Sequence, residues 1–174
     1  MYSEQWQLRM RWAMSRAKPL SLLLIAISWI LANTAWLSIG EQQLTGTEIS
    51  QLLNLLPAIS VLLVFIASYQ RFAAAIGTLA AISMLIFAVL ALTSDFEGSA
   101  AAIAIYESIS GIQGAGPGDV DVVTSRSITN LIAAASGIAA AAFLAISAFK
   151  PAQRSVKKRQ VTEDNRALWD EQGD

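Results

Sequence analysis

Four apolar stretches, separated by segments richer in polar residues, dominate the hydrophobic pattern of the chain. They cover residues 20–39, 50–69, 72–92 and 128–149, and none of them contains Asp, Glu, Lys or Arg. A helix needs about 20 residues to cross about 30 Å of hydrocarbon, and charged residues are the most costly ones to place there. The pattern therefore predicts an all-α integral membrane protein with four transmembrane helices. The two-residue turn at 70–71 makes the second and third spans a hairpin in an antiparallel bundle.

The composition supports a bilayer environment and removes several kinds of chemistry. The chain is 55% hydrophobic and 14% charged, against about 25% charged residues in soluble domains. It contains neither Cys nor His, so disulfides, Cys/His metal sites, axial haem ligation and the commonest general base are absent. We therefore expect no enzyme activity, no catalytic residue, no cofactor and no metal site, and we expect no nucleic-acid partner.

The distribution of basic residues predicts the orientation. Arg126 is the one Lys or Arg of the twelve that falls in segments 40–49 and 93–127, beside seven acidic residues. The positive-inside rule then places both termini in the cytoplasm of a multi-pass protein of the plasma membrane. The residues that determine this topology are Arg9, Arg11, Arg16, Lys18, Arg71, Lys150, Arg154, Lys157, Lys158 and Arg159, with Arg166 further along the tail.

These boundaries divide the chain into three parts. Residues 1–18 form a cytoplasmic flank with apolar residues at helical spacing, as in an interfacial amphipathic helix. Residues 19–149 form the transmembrane domain with an outer loop at 93–127, and residues 150–174 form a charged cytoplasmic tail. The basic start of the tail serves either to fix topology or to bind anionic lipid at the cytoplasmic face.

The outer loop contains a glycine-rich stretch, GIQGAGPGD at 111–119, that superficially resembles a phosphate-binding loop. It lacks the Lys-Ser/Thr ending of a P-loop and is followed by acidic residues, so a Gly-Pro turn is the better interpretation. The preceding residues 98–112 favour a short helix with Ser99 as its N-cap over a disordered loop, because their isoleucines recur at helical spacing.

A few polar residues are predicted to share one layer in the outer half of the bilayer. Asn33 and Thr34 lie in the first span and Asn54 in the second, and Pro57 frees a carbonyl nearby. The layer is either a small polar site that opens outward or a set of hydrogen bonds between helices.

Small residues at four-residue spacing predict the helix-packing faces. The third span carries Ala73, Gly77 and Ala81, and the fourth carries Ala133, Gly137 and Ala141. This spacing lets helix backbones approach closely, so these two spans are expected to be neighbours. The abundance of alanine in the fourth span predicts a further free face for a membrane-protein partner or a second copy of the chain.

Trp29 and Trp36, the segment LTGTEIS at 44–50, the one-arginine hairpin at Arg71, the long outer loop and the ending LWDEQGD together resemble the actinobacterial Trp biosynthesis-associated membrane proteins. The resemblance spans most of the chain, and its specific parts are LTG and the tail. It implies a four-helix membrane protein encoded beside tryptophan-biosynthesis genes, and it supplies no catalytic residues.

Two functions from different classes fit these observations. One is a non-enzymatic accessory or scaffold protein that binds another membrane protein. The other is a small carrier or exporter of an aromatic solute, such as tryptophan or indole, with Trp29 and Trp36 as stacking surfaces beside the polar layer. The absence of ionisable residues within the spans disfavours ion-coupled transport.

Overall fold

The computed structural model describes residues 2–67 and 72–148, with side chains from Ala17 onward. This part of the chain is mostly helical and contains six helices and one small sheet. In chain order the elements are α1 (Tyr2–Ala32), β1 (Ala35–Ile39), β2 (Gln42–Thr45), α2 (Gly46–Ile49), α3 (Leu52–Ala67), α4 (Ala73–Thr93), α5 (Ala100–Ser110), β3 (Thr124–Arg126) and α6 (Thr129–Ala148).

The predicted third and fourth spans correspond to α4 and α6, whose bounds differ from the predicted ones by one residue at each end. They contain 21 and 20 residues, and in the described part of the chain they are the two helices long and apolar enough to cross a membrane. At 1.5 Å per residue each is about 30 Å long. The candidate membrane-spanning character of this half of the molecule therefore agrees with the hydropathy pattern.

The predicted first span, residues 20–39, is wrong in its second half. The helix ends at Ala32 and the chain enters β1 at Ala35. The hydroxyl of Thr34 donates to the carbonyl of Leu31 at 2.6 Å, and the indole N–H of Trp36 donates to the same carbonyl at 2.8 Å. Side chains that satisfy a terminal carbonyl in this way end a helix. At its other end, α1 continues back to Tyr2 through the flank assigned to residues 1–18.

The predicted second span is also shorter than expected, because α3 contains 16 residues. It begins at Leu52 rather than at residue 50, since the chain first makes the short helix α2 and a turn at Ser50 and Gln51. An apolar helix of 16 residues is about 24 Å long. The apolar part of α1, Ala17–Ala32, has the same length.

A three-stranded antiparallel sheet departs from the all-α prediction. Its strand order is β2-β1-β3. β1 and β2 form a hairpin in which Ile39 is opposite Gln42, and β3 returns from far along the chain to pair Arg126 with Leu37. We call residues 33–51 and 94–128, which contain the sheet, α2 and α5, the cap. The cap lies at the end of the bundle where α1 and α4 finish and α3 and α6 begin.

The predicted helix in the 93–127 segment is confirmed. Helix α5 begins after Ser99, whose hydroxyl accepts a hydrogen bond from the backbone N–H of Ala102. It ends at Gly111, which has the left-handed φ of 70°. The cap segment that follows α4 therefore contains regular secondary structure at α5 and at β3.

The glycine-rich stretch after α5 is a turn closed by carboxylates. The backbone N–H of Gly114 donates to Oε1 of Glu107, and that of Gly116 donates to Oδ2 of Asp119 at 2.8 Å. A phosphate would have to compete with these carboxylates for the same donors. The turn interpretation of residues 111–119 agrees with this geometry.

The long helices pack in the order α1, α6, α4, α3. Contacts are extensive between α1 and α6, between α6 and α4, and between α4 and α3, whereas α1 and α3 touch over a much smaller area. The two helices at the ends of this row, α1 and α3, are those with the shorter apolar segments. Between them the bundle has a shallow seam, which we call the α1–α3 seam.

The small residues of α4 and α6 lie inside this row. A Cβ at Gly137 would be 3.0 Å from Cδ1 of Phe87, and one at Gly77 would be 3.1 Å from Cβ of Ala148. The remaining predicted packing residues Ala81, Ala133 and Ala141 are buried, whereas Ala73 is exposed. The chain's own α4–α6 contact therefore covers both glycines, which agrees with the prediction that these two spans are neighbours.

Most of the predicted determinants of topology lie outside the described residues. These are Arg71 with the turn at 70–71, the tail from residue 150 onward, and the side chains of Arg9, Arg11 and Arg16. Of the predicted determinants, Lys18 is the one whose side chain is described, and it is exposed.

Candidate functional site

The predicted polar layer is assembled around Trp29, at the end of α1 next to the cap. The indole N–H of Trp29 donates to Oδ1 of Asn54 on α3 at 2.5 Å. Nδ2 of Asn33 donates to the backbone carbonyl of Trp29 at 2.8 Å, and the hydroxyl of Thr47 donates to Oδ1 of Asn33 at 3.4 Å. The structure thus brings Asn33 and Asn54 to the same tryptophan, and Thr34 is used to end α1.

Pro57, the fourth residue of the predicted layer, is buried in α3 and faces away from this cluster, toward the helix row. One residue before it, the carbonyl of Leu56 accepts hydrogen bonds from the hydroxyls of Ser60 at 2.9 Å and of Ser83 on α4 at 3.1 Å. The backbone around the proline is therefore held by serines, and it does not join the Trp29 cluster.

Buried serines that the sequence analysis did not predict join the helices. The hydroxyls of Ser28 on α1 and Ser136 on α6 are 2.7 Å apart. Each hydroxyl also lies within hydrogen-bond distance of a backbone carbonyl of its own helix, that of Leu24 for Ser28 and that of Ala133 for Ser136. Small polar side chains satisfied in this way can be buried between helices at low cost. The available signal was the presence of single serines among the small residues of these helices.

Two adjoining cavities open beside Trp29, at the cap end of the α1–α3 seam. The larger, of about 590 Å³, is lined by Trp29, Thr47, Glu48, Gln51, Leu52, Asn54, Leu55 and Ala58. We call it the Trp29 cavity. The second, of about 450 Å³, shares Trp29 with the first and is lined by Ala26, Trp29, Ile30, Asn33 and Thr34. Both volumes fall in the range of small-molecule sites in proteins.

Glu48 is the one charged residue that lines the Trp29 cavity. Its Oε2 accepts hydrogen bonds from the backbone N–H of Thr45 at 2.7 Å and from the Thr45 hydroxyl at 2.8 Å, which completes a capping box at the start of α2. These two bonds lower the pKa of Glu48, the backbone N–H more than the hydroxyl, and outweigh the slight effect of burial. The carboxylate is therefore ionised at neutral pH.

The segment LTG at 44–46 has a structural explanation in the cap. Leu44 is buried in the core, Thr45 caps α2, and Gly46 lies directly against the indole of Trp36. Trp36 is 0% exposed and meets Phe96 in an edge-to-face contact with ring centroids 5.9 Å apart. Trp36 is thus a core residue, and the expectation that it offers a stacking surface is wrong. Trp29, which is 38% exposed, remains accessible.

The other charged residues of the cap lie on a different part of its surface. Arg126 pairs with Glu97 at 3.2 Å and lies over the ring of Phe96. Tyr106 is buried nearby, and burial raises the pKa of its hydroxyl, with a smaller contribution from the negative charge of Glu97. Among the described residues no cluster of three or more His, Cys, Asp or Glu side chains is placed to hold a metal ion.

Comparisons of the chain with protein-family models, with curated proteins and with solved structures give no match.

Proposed function

We propose that the protein is a non-enzymatic membrane protein with four spans, formed by α1, α3, α4 and α6, that acts by binding another membrane protein. The distribution of side chains in the bundle is the observation that supports the membrane placement. Many large apolar side chains are exposed, among them Leu23, Ile30, Leu62, Phe65 and Leu85, whereas the buried polar side chains of the described residues are serines. In water this arrangement would be unfavourable, and in lipid it is the expected one.

The lengths of the four helices fit a bilayer when the cap is included. α4 and α6 are each long enough to cross about 30 Å of hydrocarbon, whereas α3 and the apolar part of α1 are about 6 Å shorter. The polar residues at the cap ends of α1 and α3 would then lie at the level of the lipid headgroups. Basic residues of both flanks would sit on the opposite, cytoplasmic side, where they can bind anionic lipid.

Labelling of single cysteines can test this placement, because the natural chain has no cysteine. In intact cells, a membrane-impermeant maleimide should label Glu41→Cys and Val123→Cys in the cap. It should label Gln153→Cys in the tail after permeabilisation alone, and Leu62→Cys under neither condition, since Leu62 would face lipid. Labelling of Leu62→Cys in intact cells, or of Gln153→Cys before permeabilisation, would contradict the four-span placement.

The α1–α3 seam is the proposed interface for a partner. Every other pair of neighbouring long helices is closely packed, and the glycine faces of α4 and α6 are already covered. Helical spacing places Leu62 on the face of Leu55, which lines the Trp29 cavity, so Leu62 lies along the cytoplasmic part of the seam. A partner helix bound in this part of the seam would contact both α1 and α3, and it would fill the gap between the two ends of the helix row.

Site-specific photocrosslinking in native membranes tests this interface. We expect a photoreactive residue at Leu62, which is 59% exposed, to give a crosslinked species of one defined mass. The matched control is Leu85, an exposed leucine of α4 on another side of the bundle, where crosslinks to lipid are expected. Two differently tagged copies of the chain distinguish a homo-oligomer from a different partner. Equal protein crosslinking at both positions, or none at Leu62, would remove the seam from consideration.

The cavities beside Trp29 favour a second candidate function, the binding or export of an aromatic solute. Asn33, Asn54 and an accessible indole do lie together there, as that interpretation requires. Two observations weaken this interpretation. Trp36 is buried and cannot serve as a second stacking surface, and the side-chain amides of Asn33 and Asn54 already form hydrogen bonds within the protein. The implied link to tryptophan biosynthesis is likewise a proposal, which the genes beside this one would test.

A further inference from the structure

The Trp29 cavity has a polar end and an apolar end. Thr47, Glu48 and Gln51 lie toward the cap, whereas Leu55 and Ala58 lie one to two turns further along α3. With α3 running from the cap into the bilayer, polarity falls along the direction in which a lipid molecule changes from headgroup to acyl chain. The cavity therefore matches an amphipathic ligand oriented like the lipids around it.

The polar end of the cavity carries a negative charge. Glu48 is ionised and none of the lining residues is basic. Oε2 of Glu48 is occupied by the capping box, and the hydrogen bonds found among the described residues leave Oε1 open. Because the indole N–H of Trp29 is already bonded to Asn54, the indole offers its π-surface to a ligand. A carboxylate beside an aromatic ring is a suitable environment for an ammonium group.

We propose that the Trp29 cavity binds a phospholipid of the outer leaflet whose headgroup carries a primary ammonium. The inference rests on the membrane placement proposed above. The ammonium group donates to Oε1 of Glu48, and the amide of Gln51, which lines the same end of the cavity, donates to the phosphate. The acyl chains lie against Leu55 and Ala58 at the cap end of the α1–α3 seam, which leaves the cytoplasmic part of the seam at Leu62 to the proposed partner. Two alternative occupants of the cavity fit less well. An apolar partner helix that extended into the cavity would bury the charge of Glu48, and an aromatic amino acid would leave the apolar end of the cavity to the bilayer.

Native mass spectrometry of the detergent-purified full chain tests the proposal. The protein is titrated with phosphatidylethanolamine, phosphatidylcholine or phosphatidylglycerol of the same acyl chains. We expect the ethanolamine lipid to bind about tenfold more tightly than the glycerol lipid, as one charge-assisted hydrogen bond would give. The choline lipid should lie between them, because its quaternary ammonium can contact the indole and cannot donate an N–H.

Glu48→Gln is the decisive variant, because glutamine preserves a capping box while it removes the charge. We expect it to bring the affinities for the three lipids within about twofold of one another. Glu41→Gln is the control, since it removes one charge from the β1–β2 turn, outside the cavity. Ala58→Trp, which fills the apolar end, should weaken binding of all three lipids.

The outcomes separate this inference from the membrane placement. A chain that passes the cysteine-labelling test and shows no preference for the ethanolamine lipid overturns the lipid site alone. So does a preference that Glu48→Gln retains. Displacement of bound ethanolamine lipid by free tryptophan would overturn it in favour of the aromatic-solute function.

Discussion

Replacing Gly137 with leucine should lower the free energy of unfolding by about 1 to 3 kcal/mol or more, the usual cost of overfilling a packed interior. The first carbon of the new side chain would already be 3.0 Å from Cδ1 of Phe87 and 3.4 Å from Cβ of Ala88. Phe87 and Ala88 are themselves buried, so neither can move without disturbing the rest of the α4–α6 contact. The three further carbons of leucine would force the two helices apart.

The measurement is thermal or denaturant unfolding of the purified protein in a mild detergent. Ala135→Leu is the matched control, because Ala135 lies two residues earlier on the exposed side of the same helix. It adds leucine at a similar depth and should leave the unfolding midpoint close to that of the wild type. If Gly137→Leu unfolds like Ala135→Leu and instead loses a bound protein, then Gly137 faces a partner and the α4–α6 packing described above is incorrect.

The two long helices could be predicted because nothing in their sequences competes with an apolar helix. Residues 72–92 and 128–149 are predominantly apolar and contain no charged residue and no proline, so hydropathy alone predicted α4 and α6 to within one residue at each end. The prediction of the first span was wrong in its second half because an apolar strand follows the helix. Residues 35–39 are as apolar as the helix before them, and hydropathy does not distinguish a buried strand from the end of a helix.

The whole sheet could not be predicted from local sequence patterns, because its third strand pairs with a strand far away in the chain. The hairpin of β1 and β2 has a local signal in Gly40, whose φ of 58° suits a tight turn. Pairing of β1 with β3, in contrast, joins residues nearly ninety positions apart, and β3 has three residues with no distinctive pattern. Such pairing depends on where α4, α5 and α6 place the two segments.

The candidate site was predicted in part. Counting residues from the middle of each span placed Asn33 and Asn54 in one layer, and the structure does bring both to Trp29. The cavity could not be predicted, because it depends on α1 ending at Ala32, on α3 beginning at Leu52 and on α2 carrying Glu48 to the cavity rim. Pro57 was assigned to the layer because a proline within a helix frees a carbonyl, and the direction of Pro57 within α3 takes it away from the Trp29 cluster.

Gly46→Ala should have the second large effect, and it should be confined to the cap. A Cβ at position 46 would be 2.7 Å from Cε2 and 2.8 Å from Cδ2 of Trp36, closer than carbon atoms pack in proteins. The indole cannot turn away freely, because its N–H is bonded to the carbonyl of Leu31 and its ring lies against Phe96. We expect the displaced indole to cost about 1 to 3 kcal/mol and to loosen the sheet, while the α4–α6 contact, which contains none of these residues, persists.

Trypsin reports this change, because Arg126 is the one Lys or Arg in the cap and it lies in β3 against the sheet. With the protein in lipid nanodiscs, the Gly46→Ala variant should yield a fragment ending at Arg126 much faster than the wild type. Gly118→Ala adds the same methyl group to the same cap at a position with no atom within 4 Å, so its cleavage rate should match that of the wild type. Equal resistance of both variants would mean that Trp36 is free to move, and that the LTG segment does not position the cap through its contact with this indole.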